Sequence, residues 1–296
     1  MAFPTETVYG LGANALATDA VSEIYRLKGR PAWNPLIAHV ASVEEARALV
    51  AEWPATAQIL AERYWPGPLT IVLTRAPDVP AAAAASTGLI AIRIPAHSVA
   101  LDLIRAAGLP LAAPSANRSE SISPTTAEHV LRSLPDVPLI LDGGSCTLGI
   151  ESTIVDLSRP RPRLLRPGAL PLRALRDVIG GIDLPPFDLE PGVAAPAPGL
   201  SRRHYAPRAK VVMLPSVTAG DVASAAGPVG VLGYHVPEQP VDHLELLPDD
   251  PAGYAADLYA ALHRLDDAGV ATILVEEPPP DEDWIAVRDR LARAAA

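Results

Sequence analysis

The sequence predicts an α/β protein of two domains joined by a proline-rich segment. Three observations carry this. Short β-branched runs alternate with helix-period segments through the first 180 or so residues. A stretch interrupted by Pro185, Pro186, Pro191, Pro196, Pro198 and Pro207 follows, with no apolar period. A smaller alternating set of strands and helices then closes the chain. At 296 residues and 49% hydrophobic, the chain is long enough for two cores, and the boundaries are placed at 1–182, 183–209 and 210–296.

Asp19 is placed to cap a helix through Leu27, because Ala20, Val21, Ile24 and Leu27 recur at helical spacing. Residues 36–40 form a short apolar strand. Ser42-Val43-Glu44-Glu45 reads as a capping box opening a helix toward Ala51. Residues 69–74 alternate Leu/Ile/Leu against Thr/Val/Thr, the period of a strand. Residues 89–94 give another, and Ser98 is placed to cap a helix to Ala107. Further short strands are expected at 139–142, 153–156 and 164–165. The closing domain reads as strands at 211–214, 229–232, 244–247 and 272–275, with helices at 254–265 and 283–294. This pattern suits a doubly wound unit, but no Gly-x-Gly-x-x-Gly fingerprint accompanies it.

Composition excludes several classes of function. A net charge of −10 argues against an extended nucleic-acid surface, and so against direct tRNA binding, because phosphate backbones need clustered cations. The single cysteine, Cys146, rules out an intramolecular disulfide and a Cys-rich zinc site. The first residues lack the charged and apolar regions of a signal peptide, and no apolar run approaches membrane-spanning length. A cytoplasmic protein without a membrane partner is the expectation.

Two segments suggest chemistry. The 24 basic residues include only two lysines, Lys28 and Lys210, so Lys28-Gly29-Arg30-Pro31 stands out. Lys is a mobile point charge and Arg a planar fork, so the pair offers two grips on a phosphate chain, although a solvated helix C-terminus explains it equally well. Ser115-Ala116-Asn117 places a hydroxyl and an amide in a loop of small residues. Arg93, within an apolar strand, needs an anionic partner when buried, and no acid lies near it in sequence, so a ligand carboxylate is a candidate. Alone, His39 reads more simply as a core residue. The cluster Arg202-Arg203-His204-Tyr205 is too polar and aromatic for a passive spacer, which points to docking.

Pro-Thr-Glu-Thr-Val-Tyr-Gly-Leu-Gly from Pro4, Lys-x-Arg-Pro from Lys28, Ser-x-Asn from Ser115, Glu-Ser-Thr-Ile-Val-Asp from Glu151 and Arg-Pro-Gly from Arg166 occur in one order. Together with His204-Tyr205-Ala206-Pro207, they resemble the YrdC-domain family in its two-domain, threonylcarbamoyl-AMP synthase form. The resemblance implies a twisted YrdC-type sheet with flanking helices and a small Rossmann-like C-terminal domain. It implies synthesis of L-threonylcarbamoyl-AMP from L-threonine, bicarbonate and ATP, with Mg²⁺ accompanying ATP. The product would pass to a tRNA threonylcarbamoyl transferase complex. By motif position, the catalytic residues would be Lys28, Arg30, Ser115 and Asn117. ATP contacts would fall on Arg30, Asn34, Leu89, Ser115, Ser123, Arg166 and Tyr205, and threonine contacts on Thr7, His39, Arg93, Ala113 and Ser152. The linker would close over the pocket with Tyr205.

Two departures accompany the resemblance. Family members carry about thirty residues ahead of the Pro-Thr-Glu-Thr motif and this chain has three, which predicts an exposed sheet edge and apolar surface. Leu89 stands where the family often has Thr, so a hydroxyl contact there is lost. The rival readings are a carbamoyl transferase of the hydrogenase-maturation type, which the single cysteine argues against, a double-stranded RNA-binding module, which the charge argues against, and an inactive truncated paralogue.

Overall fold

The structure is a computed structural model that describes residues 1–84, 87–184, 197–199, 201–237 and 239–296. Part of the expected linker, residues 185–196 and 200, lies outside the described residues. The predicted α/β class is found. In the first domain, strands β1 (Ala2–Phe3) and β2 (Gly10–Leu11) pair with each other. The main sheet contains β3 (Ala13–Asn14), β4 (Ile37–His39), β5 (Leu69–Thr74), β6 (Leu89–Arg93), β7 (Leu111–Ala112), β8 (Thr153–Asp156) and β9 (Arg163–Arg166). Its spatial order is β3-β7-β4-β6-β5-β8-β9. β4 pairs β6 in parallel and β5 pairs β8 in parallel, while the other neighbours run antiparallel.

This arrangement gathers chemistry at one end of the sheet. His39 and Arg93 are the last residues of β4 and β6 and face each other in register. β5 and β8 run opposite to β6, so the start of β8, just after Ser152, lies at the same end. β9 is antiparallel to β8 and brings Arg166, its last residue, there as well.

Helix α1 (Thr18–Lys28) shows how periodicity selects a site residue. Val21, Ile24 and Lys28 fall on its buried face, so the repeat that buries two aliphatic side chains carries the lysine inward. Ala17, not Asp19, occupies the N-cap position and makes no side-chain cap bond, and Asp19 sits in the first turn instead. Gly29 ends the helix in the left-handed region (φ 62°), where its N–H reaches the Arg26 carbonyl. α2 (Val43–Ala48) is capped by Ser42 as expected. In α4 (Ser98–Ala107), Ser98 is the first helical residue and the His97 position gives no side-chain cap. Between them, α3 (Ala55–Tyr64) was not expected, nor were α5 (Ala127–Ser133) and α6 (Leu172–Ile179). Pro54 and Pro171 at the N-caps of α3 and α6 supply no hydrogen-bonding side chain to mark a start. The expected strand at 139–142 shrinks to one bridge, Ile140 to Ala2. That contact and the β2 pairing bury Ala2 and Phe3 completely, although Met1 and Leu139 beside them are exposed.

The C-terminal unit is a parallel sheet of β10 (Lys210–Leu214), β11 (Val229–Gly233), β12 (His243–Leu246) and β13 (Thr272–Glu276) in the order β10-β13-β11-β12. It carries α7 (Ala219–Ser224), α8 (Pro251–Asp267) and α9 (Ile285–Ala294). Its core takes in Val8, Ile122 and Ile150 of the first domain, so one apolar cluster crosses the boundary. No helix among the described residues is long and apolar enough to cross a membrane.

Candidate active site

A cavity enclosing, with its mouth, about 520 Å³ of empty space lies at this end of the main sheet. Its walls include all five expected threonine contacts, Thr7, His39, Arg93, Ala113 and Ser152. Of the expected nucleotide contacts, Arg30, Ser115, Arg166 and Tyr205 line it. Asn34, Leu89 and Ser123 do not line it; Asn34 and Ser123 act at one remove, Asn34 Oδ1 accepting from Arg30 (2.6 Å) and Ser123 donating to Glu151 (2.6 Å). Leu89 packs on the apolar cluster of Ile37, Val72 and Ala91.

Lys28 and Arg30 differ in placement. The Lys28 ammonium points at the loop carrying the second half of the constellation and donates to the carbonyls of Ser115 (2.6 Å) and Asn117 (2.5 Å). Burial and the Arg30 cation push its pKa well down, while those carbonyls favour the charged form. Ser119 N–H donates back to the Lys28 carbonyl at 2.8 Å, and Asn117 Nδ2 donates to the Ser121 carbonyl at 2.7 Å. The four expected catalytic residues are thus brought together, but Lys28 and Asn117 build the wall, and Arg30 and Ser115 face the cavity. Arg30 is fully buried among neutral oxygens, and burial lowers its pKa to about 10.

The threonine half is organised around Arg93, which has a protein partner where a ligand carboxylate was the candidate. Its guanidinium lies 2.7 Å from Glu6 Oε1 and also donates to Thr7 Oγ1 (2.9 Å) and the Gly67 carbonyl (3.1 Å). The Glu6 contact is close but off the hydrogen-bond direction, so both Glu6 oxygens lack an aligned donor. Burial opposes ionisation of Glu6, but Arg93 together with the backbone at Ala96 and Glu6 holds the carboxyl below its usual range. Sequence reasoning missed this pair because Glu6 and Arg93 are far apart along the chain. His39 is neutral, its pKa driven to about 3 by burial and the Arg93 cation. Its Nδ1 lies 3.2 Å from the Ile37 carbonyl, an acceptor, a contact that favours the tautomer protonated at Nδ1.

Arg166 donates twice to the Ser152 carbonyl (2.9 and 3.2 Å), once to Ser152 Oγ (3.2 Å) and once to the Pro198 carbonyl (3.3 Å). Gly168 explains the Arg-Pro-Gly motif: a Cβ there would lie 2.4–2.5 Å from the backbone of Glu151, Ser152 and Thr153. The described end of the linker covers the cavity. Pro198, Gly199, His204 and Tyr205 line it, and Ala206 N–H donates to the Glu120 carbonyl (2.8 Å). Both Tyr205 (φ 60°) and Glu120 (φ 69°) adopt left-handed backbone at this junction, conformations that need support from their surroundings. The Tyr205 hydroxyl is buried without a hydrogen-bond partner among the described residues. Cys146 is buried, with a thiol pKa pushed by burial to about 12, and so is inert as a nucleophile.

A mixed sheet with a cationic cavity at one end, covered by a linker from a second α/β unit, defines a class that the comparisons identify. The Sua5–YciO–YrdC family model, described as telomere recombination, matches residues 1–168, and the threonylcarbamoyl-AMP synthase C-terminal domain model matches 171–296. Threonylcarbamoyl-AMP synthase of Pyrococcus abyssi is 42% identical over the whole chain and 90% of its own length. That of Bacillus subtilis is 38% identical, again over the whole chain and 89% of its own length. The crystal structure of P. abyssi Sua5 complexed with L-threonine superposes with a TM-score of 0.93 at 42% identity, covering 99% of this chain and 89% of that one. The chain belongs to the threonylcarbamoyl-AMP synthase family.

Proposed function

We infer that the protein is an enzyme of the nucleotidyltransferase type that forms L-threonylcarbamoyl-AMP from L-threonine, bicarbonate and ATP, releasing pyrophosphate. The observation that carries this reading is the convergence of Arg30, Arg93 and Arg166 with Thr7, Ser115 and Ser152 on one cavity under Tyr205. Threonine is proposed to sit among Thr7, His39, Arg93, Ala113 and Ser152. In the tautomer protonated at Nδ1, the neutral His39 presents an Nε2 lone pair that can accept from the threonine amine without adding a competing cation. The amine captures bicarbonate with loss of water, or the carbon dioxide that bicarbonate gives on losing hydroxide, and sheds a proton to become a carbamate, whose oxygen attacks the α-phosphorus as pyrophosphate departs. Arg30 and Arg166 meet the charge that builds on the phosphates, and both are already held by hydrogen bonds, so little reorganisation accompanies the reaction.

Mg²⁺ is proposed to arrive on the phosphates of ATP. The cavity carboxylate Glu151 and the buried Glu6 are each committed to an arginine, and no group of three or more potential ligands is found among the described residues. The product is proposed to pass to a tRNA threonylcarbamoyl transferase complex in the cytoplasm. Measuring pyrophosphate release with ATP, threonine and bicarbonate tests the reading. Release is expected only with both co-substrates, and release indifferent to either one refutes it.

A further inference from the structure

Glu151 is an ionised carboxylate in the wall of a cavity assigned to a polyanion. Burial would raise its pKa, but Arg290 and then Arg166 oppose this and hold it at about 2. One oxygen accepts from Ser123 of the same domain (2.6 Å). The other accepts only from the C-terminal domain among the described residues: Arg290 Nε of α9 at 2.7 Å and the Tyr259 hydroxyl of α8 at 2.9 Å. Arg290 is wholly buried, and a second N–H group of its guanidinium donates to the Pro167 carbonyl (2.9 Å). Its other carboxylate neighbour, Asp289, is also paired with Arg293, so the charge of Arg290 remains available to Glu151.

The same two side chains hold Tyr205. The Arg290 guanidinium lies over its ring at 5.0 Å, and the Tyr259 ring stacks on it at 5.7 Å. A third contact, His263 of α8 to the Ser123 carbonyl (3.2 Å), steadies the residue that bonds the first Glu151 oxygen.

We propose that Arg290 and Tyr259 are positioning residues of the nucleotide site: the C-terminal domain supplies the cation and hydroxyl that neutralise and orient Glu151, and it clamps Tyr205 over the cavity. The proposal rests on the reading of the cavity as an ATP site. Without Arg290, a buried negative charge would face the phosphates across a low-dielectric wall. A contact that only glued the domains together would weaken stability without singling out ATP or responding to protonation of Glu151.

The test uses full-length protein and calorimetric binding of ATP and of threonine separately. Arg290→Met is expected to weaken ATP binding about tenfold or more near neutral pH, the scale of one uncompensated charge beside a polyanion. Threonine affinity should stay within about twofold. The ATP defect should shrink as pH falls toward about 5.5, because an unpaired Glu151 takes up a proton and the repulsion disappears. Adding Glu151→Gln to Arg290→Met should restore ATP affinity to within about threefold of wild type and abolish that pH dependence relative to wild type. Unchanged ATP affinity in Arg290→Met, or a loss equal at every pH and unrepaired in the double variant, overturns the proposal. If the single variant does not fold, the double variant decides, since replacing both members of a buried pair is tolerated far better than replacing one. Wild-type ATP binding without threonine-dependent pyrophosphate release counts against the proposed reaction. Unchanged ATP affinity in a working Arg290→Met enzyme counts against Arg290 alone.

Discussion

Replacing Lys28 with Met removes one charge while keeping an unbranched side chain of similar length on the buried face of α1. Two carbonyls, Ser115 and Asn117, lose a donor now at 2.6 and 2.5 Å. Leaving a buried acceptor unsatisfied costs about 1–3 kcal/mol each, while sparing Lys28 its burial returns part of that. A net destabilisation of about 2–4 kcal/mol follows, concentrated in the loop that carries Ser115 and Asn117 rather than spread through the core. Loosening that loop blurs the Ser115 side of the phosphate site, and misplacement of a preorganised donor costs about a hundredfold or more in turnover. The assay is threonine-dependent pyrophosphate release at saturating and limiting ATP, alongside urea unfolding of the same preparation. A fall in both stability and kcat is expected, with threonine KM little changed. A folded Lys28→Met protein that retains kcat/KM within about threefold of wild type would refute the reasoning. Unaltered stability with a defect only in ATP KM would show instead that Lys28 meets the phosphates directly.

Two further outcomes follow from groups that lack partners or carry shifted pKa values. Tyr205→Phe removes a buried hydroxyl that has no hydrogen-bond partner, so the free protein should unfold at the same or slightly higher denaturant concentration. ATP binding should weaken about two- to thirteenfold, one hydrogen bond's worth, if the hydroxyl awaits the nucleotide; equal ATP affinity in calorimetry removes that role. His129 of α5 and His263 of α8 stack at 3.7 Å across the domain boundary, and burial lowers their pKa values to about 3 and about 4. Because the unfolded chain binds these protons more readily, their contribution to stability is complete above about pH 6.5 and is lost as pH falls toward the folded values. Glu151 acts only lower, between its ordinary range and about 2, so loss between about pH 6.5 and 5 reports histidines. The buried His39 and His204 are lowered too, so exchanging both His129 and His263 for Asn should reduce that part of the slope by roughly half in denaturation experiments, and an unchanged slope would assign it elsewhere.

The strands that frame the site were legible because each is an uninterrupted apolar or alternating run. β5 occupies residues 69–74 as expected, and β8 occupies 153–156. What escaped was short or unmarked. β1, β2, β3 and β7 are two residues each, below the length at which a period of two can be seen. α7, six residues long, has a capping box at Thr218 and Asp221 but buries none of its side chains, so it offers no apolar period. Lys28 was conspicuous by composition, yet its role depends on which helical face it occupies, and the Val21-Ile24-Lys28 spacing holds that information.

The two acidic residues of the site were harder to assign, and the difficulty has one physical origin. Glu6 and Glu151 stand in recognisable motifs, but a carboxylate's work depends on the cation opposite, and both cations arrive from distant elements: Arg93 from β6 and Arg290 from α9. A buried charge must be paired, so each motif implied a partner without naming it. For Arg93, the pairing with Glu6 alters the chemistry expected of it. A threonine carboxylate cannot take the guanidinium as a free fork, because two of its N–H groups already donate to Thr7 and Gly67 and its third nitrogen lies 2.7 Å from Glu6. It must either displace the misaligned Glu6 contact or sit beside the pair on Thr7 and the neighbouring backbone. Glu6 itself lies behind the wall rather than in it, since Thr7 and Arg93 line the cavity and Glu6 does not. The Arg93–Glu6 pair is therefore an ionic strut that fixes Arg93 and, through it, Thr7 in the cavity wall, a role that neither motif disclosed alone.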